Sequence, residues 1–327
     1  MLNIIANFER SISPEDAELL IVPEADAIAE SFGCEVVHYQ KNSTDVVHAA
    51  TPNGTDLAYG LGKGIQSKIG AYGECLEHLL YTTVGHSDSW ASIEDLKKSN
   101  LTQLDPVLKQ AFSIGDAPDE LEVINFHDVC SGELHQVPSV LVNHHYLDKG
   151  LTDSGMGATK FENFLSRYVT TSGTAFGLVQ EDAYLHALNE TIERHETSKL
   201  FLAMSNVDRS DDYFNRLDGD SLPEYIKTLI ARLKSRFGAE SIEVILAKTP
   251  FNTWWSICIA RFQNDDIYEL PQWGAGSSFL YDLSIYRSIS ECFQMLDNFE
   301  VENLAADKKL IKFVERFPKF KAIPYFD

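Results

Sequence analysis

The sequence predicts a mixed α/β chain of the α+β kind, with antiparallel strand pairs and prominent helices. Three observations carry this. Apolar runs bounded by turn residues come in adjacent pairs, long segments repeat apolar residues at helical spacing, and no strict strand–helix–strand alternation appears. The 327 residues are 44% hydrophobic and 23% charged, which supports a buried core and excludes a disordered or fibrous chain.

Taken in order, Pro23 and residues 24–29 read as a helix start, with Gly33 as its stop. Val46–Ala50 and Leu57–Leu61 read as strands around Pro52-Asn53-Gly54, a hairpin signal. A helix is expected from about Gln66 to Thr83, stopping before Gly85. The polar stretch Ser87–Asp119, with scattered prolines, reads as short helices and loops. Leu121–Phe126 and Leu134–Val142 read as strands around Ser131-Gly132-Glu133. Gly-rich Tyr146–Asn163 reads as a surface loop and Phe176–Val179 as a strand end. A long helix follows from Glu181 to about Met204, then a charged loop over Asp208–Asp220 and a helix over Ile226–Phe237 ended by Gly238. Ile242–Ala247 and Trp254–Phe262 read as strands, Gly274-Ala275-Gly276 as a turn, and Leu283–Phe299 as a helix capped by Asp282. No Pro/Gly-rich linker divides the chain. One domain over 1–327 is expected, with its core at about 60–298, a helix and strand region at 1–59 and a tail at 299–327.

Charge and cysteine usage narrow the function. With 27 Lys+Arg against 49 Asp+Glu, the net charge is −22. Such a surface repels polyanions, which argues against sequence-independent nucleic-acid binding and docking on anionic lipid. The apolar runs are too short to span a bilayer, and Glu9, Arg10, Glu15, Asp16 and Glu18 argue against a secretory signal. The five cysteines are widely spaced with no C-x-x-C, so reduced thiols in a cytoplasmic protein are expected.

Three helices carry acidic motifs: the pairs Glu74-x-x-Glu77 and Glu190-x-x-Glu193-Arg194, and the single acid of Arg287-x-x-x-Glu291-x-x-Gln294. Residues three or four apart share a helix face. Gly70 and Gly73 lie on the face of Glu74 and Glu77, and since glycine weakens a helix by about 1 kcal/mol, they suggest a close approach to the backbone. A solvated acidic face is the plain alternative for each pair. Yet the same helices are otherwise apolar, and Arg194 and Arg287 cannot balance five glutamates, whereas divalent cations could. No Glu-x-x-His occurs at these positions, which disfavours di-iron, while all-oxygen ligands favour Mg²⁺ bridging substrate phosphates, with the arginines meeting the same phosphates. A carboxylate metalloenzyme without nucleotide stays open as another reading. Gly60-Leu61-Gly62-Lys63-Gly64 looks phosphate-like but is not a Walker A loop, because Gly64 follows the lysine. His144-His145 and His127-Asp128-x-Cys130 read as structural.

These motifs resemble the YcaO family. Gly62-Lys63-Gly64 with Ser67-x-x-Gly70-Ala71-x-Gly73-Glu74-x-x-Glu77 is similar to its first nucleotide motif. Thr171-Ser172-Gly173-Thr174-Ala175-x-Gly177 and Glu181 through Arg194 look like the second, and Gly274-x-Gly276 with Arg287 through Gln294 like the third. Asp128-x-x-Ser131-Gly132-Glu133 and Val137-Pro138 resemble the middle strand pair, so the resemblance covers about Gly60 to Asn298. It implies a YcaO-type fold with three acidic helices around an ATP site, and an ATP- and Mg²⁺-dependent enzyme that activates peptide amides. Carried over by position, Glu74, Glu77, Glu190, Glu193 and Glu291 would hold Mg²⁺ and phosphates. Arg194 and Arg287 would contact phosphates or orient carboxylates, Lys63 would reach a phosphate, and Ser67, Ser172 and Gln294 would line the nucleotide pocket. Glu190, Glu193, Arg194 and Arg287 form the implied catalytic group.

The form Ser67-x-x-Gly70-Ala71 is similar to the cyclodehydratase subunit of microcin B-type synthetases. This implies closure of Cys, Ser or Thr residues to azolines in a ribosomally made precursor peptide. The implied partners are a ThiF-like or leader-binding protein and a flavin dehydrogenase, in a complex or homo-oligomer. Thioamide- or amidine-forming relatives and a non-catalytic scaffold are the alternatives. Three departures bear on the choice. His78 stands where Arg often follows, Ser172 where Asn is common, and Ala322-Ile323-Pro324-Tyr325-Phe326-Asp327 lacks the proline-rich ending of many azoline-forming members.

Overall fold

Ser13 opens the first helix, α1 (Pro14–Ser31): its side chain accepts from the Asp16 N–H, and Pro14 sits in the first turn, where no N–H is needed. Pro23, expected as the start, lies exposed inside α1, because buried Ala17, Ile21, Ala25 and Ala29 carry one helical stripe past it. The computed structural model describes residues 9–84, 89–143, 146, 159–205, 213–263 and 267–326. Gly85, His144, His145, most of the Gly-rich stretch 146–163 and the start of the 208–220 loop lie outside them.

After α1 come β1 (Glu35–Lys41), β2 (Thr44–Ala50) and β3 (Asp56–Leu61), an antiparallel meander, and then α2 (Ser67–Val84). The β2–β3 hairpin and α2 match the sequence reading, whereas polar β1 carried no signal for it. Next are β4 (Trp90–Ser92), α3 (Ile93–Lys98), α4 (Asn100–Leu104), α5 (Pro106–Ile114), β5 (Glu120–His127), β6 (Leu134–Pro138) and α6 (Lys160–Leu165). The chain continues through α7 (Gln180–Met204), β7 (Asn215–Arg216), α8 (Glu224–Phe237), β8 (Ser241–Lys248), β9 (Trp254–Arg261), β10 (Gln272–Ser278), α9 (Tyr281–Asp297) and α10 (Val301–Val314).

Several expectations are corrected. Phe176–Val179 is not a strand. The 146–163 stretch ends in α6, started by a capping box between Thr159 and Glu162. Asp282 lies in the first turn of α9 rather than capping it, and Leu280 holds the cap position. The 299–327 tail contains helix α10. Gly274-Ala275-Gly276 is not a turn but the middle of β10.

The last correction has a packing cause. A Cβ at Gly274 would lie 2.2 Å from the Cys292 backbone nitrogen, and one at Gly276 would lie 2.5 Å from the Ser284 carbonyl. Helix α9 therefore rests directly on β10. Gly60 does the same for α2 on β3, where a Cβ would meet the Ala71 carbonyl at 2.1 Å.

The chain divides into two compact units, Met1–Glu77 with Ala175–Asp327, and His78–Thr174. In the first, the antiparallel sheet of order β10-β9-β8-β7 is covered on both faces. Cys258 and Ala260 of β9 join a cluster with Ile226, Leu233, Ile285 and Ile289 of α8 and α9. Trp255, Ile257 and Ile259 alternate to the other face and pack with Leu200 of α7 and Phe326. In the second unit, order β4-β5-β6 forms the sheet, and Leu121 and Val123 pack with Leu108, Phe161 and Leu165.

Candidate functional site

The end of β3 is where the first and third acidic helices meet. Glu74 Oε2 of α2 accepts from the Leu61 N–H at 2.8 Å. Gln294 Nε2 of α9 donates to the Leu61 carbonyl at 2.6 Å and the Gly62 carbonyl at 3.4 Å. The next side chain, Lys63, places Nζ 2.8 Å from Glu291 Oε2. Gly64 has φ +67°, and the Tyr286 hydroxyl accepts from the Ile65 N–H at 2.7 Å. The Gly-Lys-Gly segment is thus fixed against α9.

The second acidic helix shares the same field. Burial, then Glu291, pushes the Glu193 carboxyl up to about 7, and Glu190 adds to the effect while Lys63 and Arg287 oppose it. Burial pulls the Lys63 ammonium down, but Glu291, Glu193 and Glu74 together hold it well above its usual value. Lys63 is exposed and Glu193 half-buried, so both remain open to solvent although much protein surrounds them. That combination describes a concave recess. One turn before Glu190, His186 is pushed down to about 3 by burial, then by Arg10, Arg287 and Lys63. It is neutral at pH 7.

The structure therefore brings together Lys63, Glu74, Glu190, Glu193, Arg287 and Glu291, with Gln294 holding the loop. Glu77 lies half-buried three residues beyond Glu74 on α2. Arg287 Nη1 donates to the Ser277 carbonyl at 2.5 Å. Arg194 pairs with Glu190 at 2.7 Å on the exposed side of one helix. Ser67 is buried beside Gly62, where its hydroxyl accepts from the Asp45 N–H at 3.0 Å and tethers α2 to β2. Ser172 belongs to the second unit, where it accepts from the Thr170 hydroxyl at 2.7 Å. In His127-Asp128-x-Cys130, Asp128 Oδ1 accepts from the Cys130 and Ser131 N–H groups at 3.0 and 2.6 Å, a turn-forming role. Glu9, Arg10 and His186 escaped the sequence reading. They lie outside the paired motifs, and no local pattern marks them.

Gly70 and Gly73 were expected to mark a close backbone approach. Among the described residues, a Cβ at Gly70 has only ordinary contact with Gly62 at 3.7 Å, and one at Gly73 meets nothing within 4 Å. The α2 face bearing Glu74 and Glu77 is accordingly bare at Gly73. Among the described residues, no three His, Cys, Asp or Glu side chains form a ready-made metal cage. Mg²⁺ commonly takes one or two carboxylates and completes its shell with water and substrate phosphates. Separated glutamates beside a lysine fit that habit, and a bound divalent cation would relieve the repulsion between Glu193 and Glu291.

An acidic, lysine-bearing recess between helices has the kinds of group that a magnesium-bound phosphate requires. The chain belongs to the YcaO family: the model described as YcaO cyclodehydratase, ATP- and Mg²⁺-binding, matches residues 61–326. ATP and Mg²⁺ are the cofactors of that family. No curated protein sequence matches. Among solved structures, YcaO from Methanopyrus kandleri bound with AMPPCP and Mg²⁺ is 17% identical, over 88% of this chain and 68% of that one, with TM-score 0.55. The E. coli microcin synthetase McbBCD complex with pro-MccB17 bound gives 13%, 87%, 74% and 0.57. A heterocyclase in complex with substrate and cofactor gives 16% over 95% of this chain but 45% of that one, with TM-score 0.61. At these identities the likeness establishes the fold. No helix among the described residues is long and apolar enough to cross a membrane, and the five cysteines are free.

Proposed function

We propose that the chain is an ATP-dependent cyclodehydratase that closes Cys, Ser or Thr residues of a ribosomally made precursor peptide into azolines. The observation that carries this reading is the Lys63–Glu291 pair at 2.8 Å, set in the field of Glu193 and Glu74 on a YcaO fold. Glu74, Glu77, Glu190, Glu193 and Glu291 are the residues that would hold the cation. Lys63 and Arg287 supply positive charge toward phosphates, and Arg194 orients Glu190. Ser67 and Gln294 act by fixing the loop and α2 rather than by direct contact. Bound MgATP supplies the phosphoryl group that turns an amide oxygen into a leaving group. The protein contributes position and charge neutralisation, the main needs of phosphoryl transfer.

Likeness to a synthetase complex holding pro-MccB17 supports a peptide substrate and partner subunits. We assign a leader-binding ThiF-like partner, a flavin dehydrogenase acting on the azoline, and a cytoplasmic setting consistent with free thiols. The test is phosphate release and peptide mass in the presence of MgATP, a precursor peptide and its leader-binding partner. Loss of one water per ring, abolished in Glu190→Gln, is expected. Exchange of oxygen for sulfur would identify a thioamide-forming enzyme instead. No ATP turnover with partner and peptide present would make the chain a scaffold.

A further inference from the structure

Residues 9–11 lie outside the family-matched segment 61–326, yet they bind both helices that flank the recess. Glu9 is only 6% exposed. Its Oε1 accepts from the Ser278 hydroxyl at 2.5 Å and the Phe279 N–H at 2.7 Å. Its Oε2 stands 2.9 Å from Arg287 Nη1, the nitrogen that donates to the Ser277 carbonyl. Arg10 Nη1 reaches the Asp182 carbonyl at 3.3 Å, and its Nη2 lies 3.1 Å from His186 Nδ1. The Ser11 N–H and hydroxyl each donate to Asp182 Oδ1 at 2.9 Å. This short strap ties the first turn of α7 to the approach to α9.

A carboxylate this buried is costly unless its charge is met. Anchoring the strap needs only Oε1, which takes a hydroxyl and a backbone N–H. Oε2 faces a guanidinium. The Ser277 carbonyl takes the hydrogen bond from this nitrogen of Arg287, while Glu9 Oε2, with no hydrogen bond of its own, faces it as the buried counter-charge that keeps the guanidinium at this spot. Arg287 also lies in the field of Glu193 and beside Arg10. An arginine held this way meets a phosphate without first losing rotamer freedom.

We propose that Glu9 is a positioning residue for Arg287, holding its guanidinium in place for the nucleotide phosphates. The inference rests on the nucleotide reading above. It gives the segment before the family-matched region a part in the site.

The test is a double-mutant cycle in the full chain, with Glu9→Gln, Arg287→Gln and the pair, read by calorimetric titration with MgATP and by ligand-free melting. Glutamine keeps an acceptor for Ser278 and Phe279 but removes the charge facing Arg287. Glu9→Gln should lower the melting temperature, because Arg287 loses its buried counter-charge, yet remain folded and bind MgATP about tenfold more weakly, as expected for losing one charge-assisted contact. The pair should bind no more weakly than Arg287→Gln alone. Unchanged or tighter binding in Glu9→Gln, or additive losses in the pair, overturns the positioning role. Wild type that binds no MgATP overturns the nucleotide reading and this inference with it, whereas wild-type binding that ignores Glu9 overturns this inference alone. Should Glu9→Gln fail to fold, Ser278→Ala loosens the same carboxylate: weaker MgATP binding with normal melting supports the role, and unchanged affinity overturns it.

Discussion

Replacing Gly73 by alanine separates the two roles a helical glycine beside carboxylates can have. The residue lies inside α2, and a Cβ there meets no atom within 4 Å. Alanine should therefore stabilise the helix by about 1 kcal/mol. For a chain of this size that raises the melting temperature by about 2 °C. The same methyl stands on the face shared by Glu74 and Glu77, so it should obstruct a phosphate. MgATP affinity should drop about tenfold, the scale of one charge-assisted hydrogen bond. Gly274→Ala is the contrast, because its Cβ would lie 2.2 Å from the Cys292 nitrogen and 2.6 Å from the Ser288 carbonyl. Backbone atoms cannot swing aside, so overpacking should cost about 3 kcal/mol or prevent folding. Scanning calorimetry and MgATP titration read both effects. A stabilised Gly73→Ala that binds nucleotide normally would refute the idea that ligand approaches α2 at its bare face.

Lys63→Met removes a side chain that is 46% exposed, so its stability cost should stay below about 1 kcal/mol. Its MgATP affinity should nonetheless fall about tenfold or more, and matched small losses in both readouts would contradict the assigned role. Burial alone would raise the Asp45 carboxyl, but hydrogen bonds from Ser67, His38 and Gln40 outweigh it and hold the group below its usual range. A carboxylate depressed by folding contributes stability above its unfolded value of about 4 and loses it as pH falls through the folded value. Ser67→Ala should then cost about 1 kcal/mol at neutral pH and progressively less below about pH 4 in urea melts, and a pH-independent deficit would count against the linkage. Arg261 donates to the Tyr325 and Phe326 carbonyls at 2.6 and 2.7 Å, so Arg261→Ala should destabilise by about 2 kcal/mol and speed amide hydrogen exchange around Tyr325 and Phe326. Exchange at the wild-type rate would argue against that clamp.

The acidic helices were legible because their information is local. A capped or glycine-ended stretch with an apolar stripe and polar groups at helical spacing is written within one segment, so α2, α7 and α9 came out at nearly their observed bounds. The Gly274-Ala275-Gly276 run was not. Alone, two glycines signal a turn, and only the helix lying on them turns the same residues into strand. Pro23 misled for a related reason, since its break in α1 is tolerated on the exposed side. Of the site, the glutamates on the recess could be read from spacing, and Lys63 from the family resemblance. Ser67 could not be assigned to Asp45, nor Glu9 to Arg287, because those pairings join positions that only the tertiary fold brings together.

The first unit is discontinuous, with Met1–Glu77 and Ala175–Asp327 separated by the whole of the second. During synthesis, Glu291 and Gln294 emerge only after the whole of the second unit that follows Lys63 and Glu74 has been made. The Leu61 peptide, whose carbonyl needs Gln294, must wait that long for its partner. Closing such a long loop adds only a modest entropic cost yet slows the encounter. The recess thus cannot assemble before α9 has emerged from the ribosome, and a stalled chain ending before α9 leaves Lys63 without its carboxylate partner.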